Sequence, residues 1–270
     1  MQKSQKSFKN SKNMPMHMHK LTILVAGGTG FVGRRIVDLL AKKGHDVIIY
    51  HRNYRAVPTH ADMIINCVGI IREGTETFHE AHIDLTTWLV RLGKKLKVEH
   101  FVQISAIGVE KQTTAYQRTK AASERVVQKS GLNYTIVRPS LIFGSEDKSI
   151  NSFRAICRTG FFPVMSKAKV QPVDVDVLSQ VVYSAVEGKL NNKIVEVAGP
   201  EVFTYGELAQ RLHPGVRLIK MPRSVSSSLT VFSSVFKTLP TKEMLIMLRQ
   251  DNVATNNIVD KLAIKNVILK

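Results

Sequence analysis

A tyrosine and a lysine four residues apart are the side chains in this sequence best suited to proton transfer. Tyr116 and Lys120 fall on one face of a helix, because residues i and i+4 lie one above the other. An ammonium group beside a phenol favours the phenolate and lowers the pKa of the phenol. Such a tyrosine exchanges a proton with a carbonyl or carbinol oxygen while hydride moves to or from a nicotinamide. Ser105, at the end of the preceding predicted strand, would hydrogen-bond the same oxygen.

We therefore predict that Ser105, Tyr116 and Lys120 are the catalytic residues. The tyrosine and lysine also suit a second task, which is to bind the ribose of a nicotinamide nucleotide. Turnover and simple cofactor contact thus both stay open for this pair.

Three glycines spaced three residues apart predict a phosphate-binding loop. Gly27, Gly30 and Gly33 stand between an apolar run over 21–26 and a helical pattern, which is the context that a dinucleotide fingerprint requires. The first glycine allows a tight turn, the second lets the backbone approach a pyrophosphate, and the third lets helix and strand pack closely. The free N–H groups at the helix N-terminus then face the anion. The loop residues expected to contact the dinucleotide are Gly27, Thr29, Gly30, Phe31, Val32 and Gly33.

The residues after the second predicted strand indicate which nicotinamide cofactor binds. An Asp or Glu at this place binds the ribose 2′-hydroxyl of NAD. The sequence instead runs Tyr50-His51-Arg52-Asn53, without an acid, and a guanidinium suits a bidentate pair with a 2′-phosphate. We therefore expect NADP(H) in preference to NAD(H), with Arg52 and Asn53 among the binding residues. The alternative is that Arg52 is an ordinary surface arginine.

Alternating apolar runs and helical patterns predict the scaffold that positions these residues. Strands are expected over 21–26, 46–50, 63–68, 100–105 and 134–138, and helices near 31–43, 78–97 and 116–129. This rhythm is typical of a doubly wound parallel sheet. Beyond 144 it loosens to a strand over 193–197, a helix begun by a capping box at Thr204 and Glu207, and a helix over 242–250. We predict an α/β fold with a Rossmann-type domain over 21–144, interleaved with a small C-terminal α+β lobe over 145–270.

The order of the motifs resembles the extended or atypical short-chain dehydrogenase/reductase family. The resemblance rests on the glycine loop, Ser105, Tyr116 with Lys120, and the segment 137–144, Val-Arg-Pro-Ser-Leu-Ile-Phe-Gly. One branch of this family contains accessory subunit 9 of the alpha subcomplex of respiratory complex I and free-standing bacterial relatives. Similarity to that branch is found in segments 144–148, 151–153, 171–177, 198–202 and 249–253. The resemblance implies a bound NADPH, flanked by Val68, Gly69, Ile104, Tyr116, Lys120, Pro139 and Leu141.

The resemblance leaves two classes of function open. The free-standing relatives are described as epimerases, dehydratases or reductases, which implies an oxidoreductase or epimerase acting on an unidentified small-molecule substrate. In the respiratory subunit the cofactor has a structural role and the tyrosine–lysine pair is retained. The alternative is therefore a non-catalytic NADPH-binding accessory or assembly protein of a respiratory or membrane-bound complex. A redox sensor is a third interpretation.

The connection between the second and third apolar strands is shorter than the family pattern requires. Only the eight residues 54–61 are available where the family places a helix, a strand, a second helix and an acid that contacts adenine. Eight residues reach about 26 Å when extended, whereas returning along one strand takes about 17–20 Å. We predict a sheet that lacks this third strand, with the second strand at its edge and the adenine pocket open on one side.

The charge distribution bears on partners. The net charge is +18; residues 1–20 contain five lysines and no acid, and residues 215–270 contain nine Lys or Arg against three acids. Basic ends favour an anionic membrane surface or an acidic partner, and the alternative is a solvated surface with a disordered basic tail over 1–20. The amphipathic pattern over 224–236 fits a helix that packs in the lobe or contacts a membrane.

Other patterns exclude several classes of function. The basic segments lack an aromatic platform, so no nucleic-acid partner is expected. Two cysteines exclude a disulfide framework. His79 and His82 stand without a cysteine or carboxylate cluster, so we interpret them as surface or groove residues and predict no metal site. Since no apolar run approaches membrane-span length, we expect a cytoplasmic protein, or one peripheral on the inner face of a membrane.

Overall fold

The chain folds around one parallel sheet, seen in a computed structural model that describes residues 19–50, 58–147, 149–221 and 241–269. The strands are β1 (Thr22–Ala26), β2 (Asp46–Tyr50), β3 (Met63–Asn66), β4 (His100–Ile104), β5 (Tyr134–Pro139), β6 (Ile142–Phe143), β7 (Phe161–Val164), β8 (Lys169–Val170), β9 (Val173–Asp174), β10 (Lys193–Val197), β11 (Phe203–Thr204) and β12 (Arg217–Lys220). The helices are α1 (Phe31–Lys42), α2 (Leu85–Leu96), α3 (Ala115–Gln128), α4 (Ser149–Cys157), α5 (Val175–Val186), α6 (Tyr205–Leu212), α7 (Lys242–Met247) and α8 (Ile258–Lys261).

The strand order confirms the predicted parallel sheet, and β2 is its edge strand in the part of the chain that the structure describes. Six strands pair in the order β10-β5-β4-β3-β1-β2, all in parallel. Among the residues that the structure describes, no strand pairs with the outer side of β2. In this order β3 lies on the far side of β1 from β2. The strand order reverses between β1 and β3, and a crevice at the carboxyl ends of such strands is where ligands bind in this architecture.

Helices cover both faces of the sheet because each carries one apolar stripe. On one face α1 contributes Ile36 and Leu40 to a buried cluster that also takes residues of α5 and α8. On the other face α2 buries Leu85 and Leu89, one turn apart, and α3 buries Val127. Burial of each such side chain stabilises the fold by about 1.5–3 kcal/mol. The two helices that begin at the site, α1 and α3, are thus held from opposite sides of the sheet.

The second half of the chain adds both to the sheet and to a lobe. Strand β10 and helix α5 belong to the central layers. Short strand pairs β7–β12, β8–β11 and β6–β9, with α4 and α6, enclose two smaller apolar clusters. The boundary at 144 and 145 stays a prediction.

Capping side chains begin the helices in this half, and the predicted capping box is among them. The capping box of Thr204 and Glu207 begins α6, and Asp174 caps α5. Thr241 caps α7, which ends at Met247 rather than at the predicted residue 250. A side chain that accepts hydrogen bonds from the first free backbone N–H groups explains why these residues mark helix starts.

Some sequence-based expectations fall on residues that the structure does not describe. The described residues do not include Arg52, Asn53, the amphipathic pattern over 224–236 or most of the basic tail. No helix in the described part of the chain is long and apolar enough to cross a membrane.

Candidate functional site

The glycine loop joins β1 to α1 with the geometry that its spacing predicts. Gly27 has φ +76°, a left-handed conformation that favours glycine, and its carbonyl accepts a hydrogen bond from the Gly30 N–H at 3.0 Å. A Cβ atom on Gly33 would overlap the carbonyl oxygen of Gly27, so the third glycine is required for close packing of α1 against the loop. A Cβ on Gly30 would meet only that same oxygen, at 3.3 Å. Packing within the protein therefore does not account for Gly30.

The start of α1 fits an anionic group. Gly30 is the N-cap residue, no side chain caps the helix, and the first turn holds no acid. The first N–H groups are thus available, and the helix dipole adds partial positive charge. Arg34, just beyond the first turn, is held by Glu146 at 2.9 Å, and Phe31 packs against Gly144. The loop and helix start form a cradle of the kind that a pyrophosphate fills.

Ser105 stands directly after β4 with a buried and unpartnered hydroxyl. The residue is 4% exposed, and its Oγ has no hydrogen-bond partner among the described residues. The backbone is firmly placed, because Ser105 N–H donates to the carbonyl of Val137 at 2.7 Å. A buried hydroxyl without a partner costs about 1–3 kcal/mol. This atom therefore marks a position where a ligand group would complete the hydrogen bonding.

Lys120 on α3 brings together several residues that the sequence places far apart. Its ammonium group is buried and donates to the carbonyls of Ile104, at 3.0 Å, and Val68, at 3.3 Å. A Cβ on Gly69 would lie 3.1 Å from Lys120 Nζ. Burial lowers the pKa of Lys120 to about 8, while the charges of Glu124 and Cys67 oppose that shift. The lysine is thus a buried cation at the carboxyl ends of β3 and β4.

Tyr116 lies one turn before Lys120, on the same helix. Its ring packs edge-on against Phe78, at 5.9 Å between centroids, and against His82, at 5.5 Å. Burial raises the pKa of Tyr116 to about 12. The expected lowering by Lys120 is therefore wrong for this arrangement. The physical reason is that the ammonium group is directed to backbone carbonyls and the phenol is desolvated.

Sequence reasoning misplaced His82, which is buried and belongs to this region. It lies in a π-helical turn, His79–Asp84, that leads into α2, and it is 1% exposed. Its Nε2 accepts from the Ile70 N–H at 3.3 Å, and its Nδ1 lies 2.9 Å from Thr119 Oγ, whose hydroxyl donates to the Ala115 carbonyl. Burial lowers the pKa of His82 to about 3, so the imidazole is neutral and ties the loop after β3 to α3.

His79 differs from His82. Its side chain is exposed and lies 3.1 Å from Asp84, in agreement with the predicted surface position. Within the described ranges no three His, Cys, Asp or Glu side chains gather in a group that would hold a metal ion.

The segment around α7 contacts the site, although the sequence offered no local signal for this. Glu243 accepts from the Ala115 N–H at 2.9 Å, so a distant carboxylate meets the first N–H of the helix that carries Tyr116 and Lys120. Gln250 accepts from Gln117 at 2.8 Å. The residues in each contact are more than 120 positions apart in the sequence, so local spacing patterns could not predict them.

The remaining predicted residues lie near the same strand ends. The Pro139 carbonyl, at the end of β5, accepts from the Ile107 N–H at 2.9 Å. The Leu141 N–H donates to Asn252 Oδ1 at 3.1 Å. The structure thus groups Val68, Gly69 and Ile104 around Lys120, with Ser105 next to Ile104 in the chain. The other described residues of the prediction lie on adjoining elements.

Comparison with known proteins assigns the family. A sequence model of the NAD dependent epimerase/dehydratase family matches residues 23–160, just over half of the chain. The chain is 25% identical to NADH dehydrogenase (ubiquinone) 1 alpha subcomplex subunit 9, mitochondrial, of Arabidopsis thaliana, over 89% of this chain and 71% of that protein. The Dictyostelium discoideum protein of the same name is 27% identical, over 72% of this chain and 64% of that protein.

A solved structure supports the fold. A human epimerase family protein, crystallised with NADPH, superposes with a TM-score of 0.70 and 16% identity, over 91% of this chain and 95% of that one. With the sequence match over β1 to α4, the strand order and the glycine loop, these findings place the chain in the NAD dependent epimerase/dehydratase family.

Proposed function

We propose that this protein binds NADP(H) on the loop from Gly27 to Gly33 and uses Ser105, Tyr116 and Lys120 in reductase or epimerase chemistry on a small-molecule substrate. The single observation that carries the proposal is the buried, unpartnered hydroxyl of Ser105. It directly follows Ile104, whose carbonyl binds the Lys120 ammonium group. A costly unpaired hydroxyl beside a buried cation is better explained by a ligand oxygen than by folding.

Each side chain has a distinct role in this proposal. When bound, the dinucleotide supplies or accepts the hydride. Ser105 donates a hydrogen bond to the substrate oxygen, and Tyr116 gives a proton to that oxygen or takes one from it. Lys120, whose pKa is about 8, is mostly protonated at neutral pH. If its ammonium group turns from the Val68 and Ile104 carbonyls towards the phenol and the ribose, it lowers the pKa of Tyr116 from about 12 towards the working range.

The preference for NADP(H) belongs to the proposal as well. Its support is the sequence after β2, where Arg52 stands and no acid is present to bind a 2′-hydroxyl. The expected result is tighter binding of NADPH than of NADH. An Arg52→Gln variant should lose most of that difference, and equal binding of both cofactors by the wild-type protein would contradict the preference.

The catalytic part is tested by a single-oxygen substitution. Tyr116→Phe removes the proton-transferring hydroxyl and keeps the ring that packs on Phe78 and His82. With a panel of carbonyl compounds, NADPH oxidation should fall by about 10²–10⁴-fold, while the Kd for NADPH stays nearly unchanged. A Tyr116→Phe enzyme that turns over at the wild-type rate would overturn the assignment.

A second candidate function is favoured by the curated relatives. Two of them, matched over most of this chain, are named subunits of the mitochondrial NADH dehydrogenase. In this interpretation the protein is a non-catalytic NADPH-binding accessory protein that associates with a respiratory or membrane-bound assembly, and its basic ends provide the attraction. Isolation from native cells separates the two functions. Co-purification with a large membrane complex, with full function of Tyr116→Phe, would establish this one instead of the enzyme.

A further inference from the structure

An aromatic pair stands at the open edge of the sheet and has no role in the chemistry described above. Tyr50, the last residue of β2, stacks on Trp88 of α2 with ring centroids 4.7 Å apart and planes 26° apart. Both rings pack against the apolar cluster between α2, α3 and the sheet. Both also retain exposed surface. They are therefore ordered by the core without being enclosed by it.

This pair lies beside the phosphate cradle. Tyr50 is in register with Ala26 of β1, the residue directly before Gly27. On the other side of β1, Val68 lies against Gly27, since a Cβ there would meet Val68 Cγ2 at 3.0 Å. Helix α2 is fixed at this level because Asn66, at the end of β3, donates to Thr86 Oγ at 3.1 Å. The stacked rings thus occupy the carboxyl edge of the sheet next to the loop.

The missing third strand explains why a substitute is needed at this place. In the family pattern, the segment after that strand provides the contact to adenine. Here β2 is the edge strand of the sheet that the described residues form. A pyrophosphate on the loop directs the adenosine towards the end of β2. An adenine ring requires an apolar or aromatic surface to stack on, and a stacked base contributes about 1–3 kcal/mol.

We infer that Tyr50 and Trp88 form the platform on which the adenine of the dinucleotide packs, in place of the residues that follow the missing strand. The inference rests on the proposed cofactor binding and specifies which residues hold its adenosine half.

The chain has one tryptophan, so its fluorescence reports on this pair alone. We would titrate the protein with NADP⁺, with adenosine 2′,5′-bisphosphate, and with oxidised nicotinamide mononucleotide, which has no adenine. The oxidised forms are used because a reduced nicotinamide absorbs where tryptophan emits. Both adenine compounds should change the Trp88 emission in a saturable manner, and the mononucleotide should leave it unchanged. If NADP⁺ binds by calorimetry while Trp88 emission stays constant, the platform is refuted and the proposed function survives. If NADPH does not bind at all, the proposed function fails as well.

A variant gives a second readout. Trp88→Leu should weaken NADPH binding, measured by calorimetry, by about tenfold and leave binding of the mononucleotide unchanged. Tyr50→Phe keeps the stacked ring and should bind NADPH like the wild type. Phe153→Leu, which disturbs a distant edge-to-face contact with Phe162, controls for a general loss of stability. Equal weakening of both ligands by Trp88→Leu, or no weakening of either, would overturn the inference.

Discussion

Replacing Gly30 by aspartate should separate folding from cofactor binding, because the free energy of unfolding should hardly change while cofactor binding should weaken strongly. Gly30 is the N-cap of α1, with φ −76° and ψ 172°, a conformation that any residue adopts. Aspartate is a better N-cap than glycine by a few tenths of a kcal/mol. The added Cβ meets one atom, the Gly27 carbonyl oxygen at 3.3 Å, which offsets part of that gain. The free energy of unfolding of the unliganded protein should therefore change by less than about 0.5 kcal/mol.

Binding should respond strongly. A carboxylate at Gly30 would lie where the pyrophosphate meets the helix N-terminus. Two unit charges about 4 Å apart at an effective dielectric constant of about 20 repel by about 4 kcal/mol, and screening by salt reduces this to about 2–4 kcal/mol. The Kd for NADPH should rise by between about 30-fold and 1000-fold.

The assay pairs urea unfolding of the unliganded protein with calorimetric titration of NADPH. Gly30→Asn is the matched control, since asparagine has nearly the same size and the same capping ability but no charge. The asparagine variant should bind at least tenfold more tightly than the aspartate variant. The reasoning would be refuted if both variants bound NADPH equally well, or if Gly30→Asp unfolded more readily than the wild type by more than 1–2 kcal/mol.

Three further predictions follow from other features of the site. Ser105→Ala removes the unpaired hydroxyl and should raise stability by about 1 kcal/mol, or about 2–4 °C in Tm. The control is Ser179→Ala, which breaks the hydrogen bond to the Val175 carbonyl and should not raise stability. Calorimetric Tm values of the two variants test this prediction. Burial lowers the pKa of His82 to about 3 and that of His100 to about 4, below the usual 6.5, so the unfolded chain binds more protons and stability is lost as the pH falls below 6.5. From pH 7 to pH 5 the loss is about 2 kcal/mol for each histidine, and urea unfolding without such a loss would contradict the assignment. Glu243→Gln should reduce stability by about 1 kcal/mol, since a carboxylate at the start of α3 is replaced by an amide, and an unchanged urea midpoint would count against this contact.

The parts of the site that the sequence predicted are those built from local rules. The glycine loop depends on conformations and close contacts within seven residues, so its spacing is sufficient to identify it. The missing strand was also predictable, because chain length sets how far residues 54–61 can reach. The pKa of Tyr116 could not be predicted, because it depends on where the Lys120 ammonium group points and on what covers the phenol. Both are tertiary properties.

The burial of His82 likewise could not be predicted from local sequence patterns. From the sequence alone, a polar residue is interpreted as exposed unless a cluster of polar residues indicates otherwise. This rule holds for His79 but fails for His82, only three residues away. The burial of His82 depends on the π-helical turn and on two partners, Ile70 and Thr119, one in a loop and one on another helix. Sequence patterns predict which face of an element is apolar, but not which polar side chain a neighbouring element will satisfy.

The energetics of the site connect the two candidate functions. An unpaired hydroxyl at Ser105 and a buried ammonium group at Lys120 both reduce the stability of the unliganded fold. A ligand that satisfies them stabilises the protein by mass action, by about 2.7 kcal/mol at a hundred times its Kd. An accessory protein needs only this stabilisation by the bound ligand, and the Tyr116 hydroxyl is not required for it. An enzyme needs the phenol to change protonation, and hence needs Lys120 to leave its backbone carbonyls when the cofactor binds. A Tyr116 pKa that stays near 12 in the NADPH complex would therefore favour the accessory role, and a lowered one would favour catalysis.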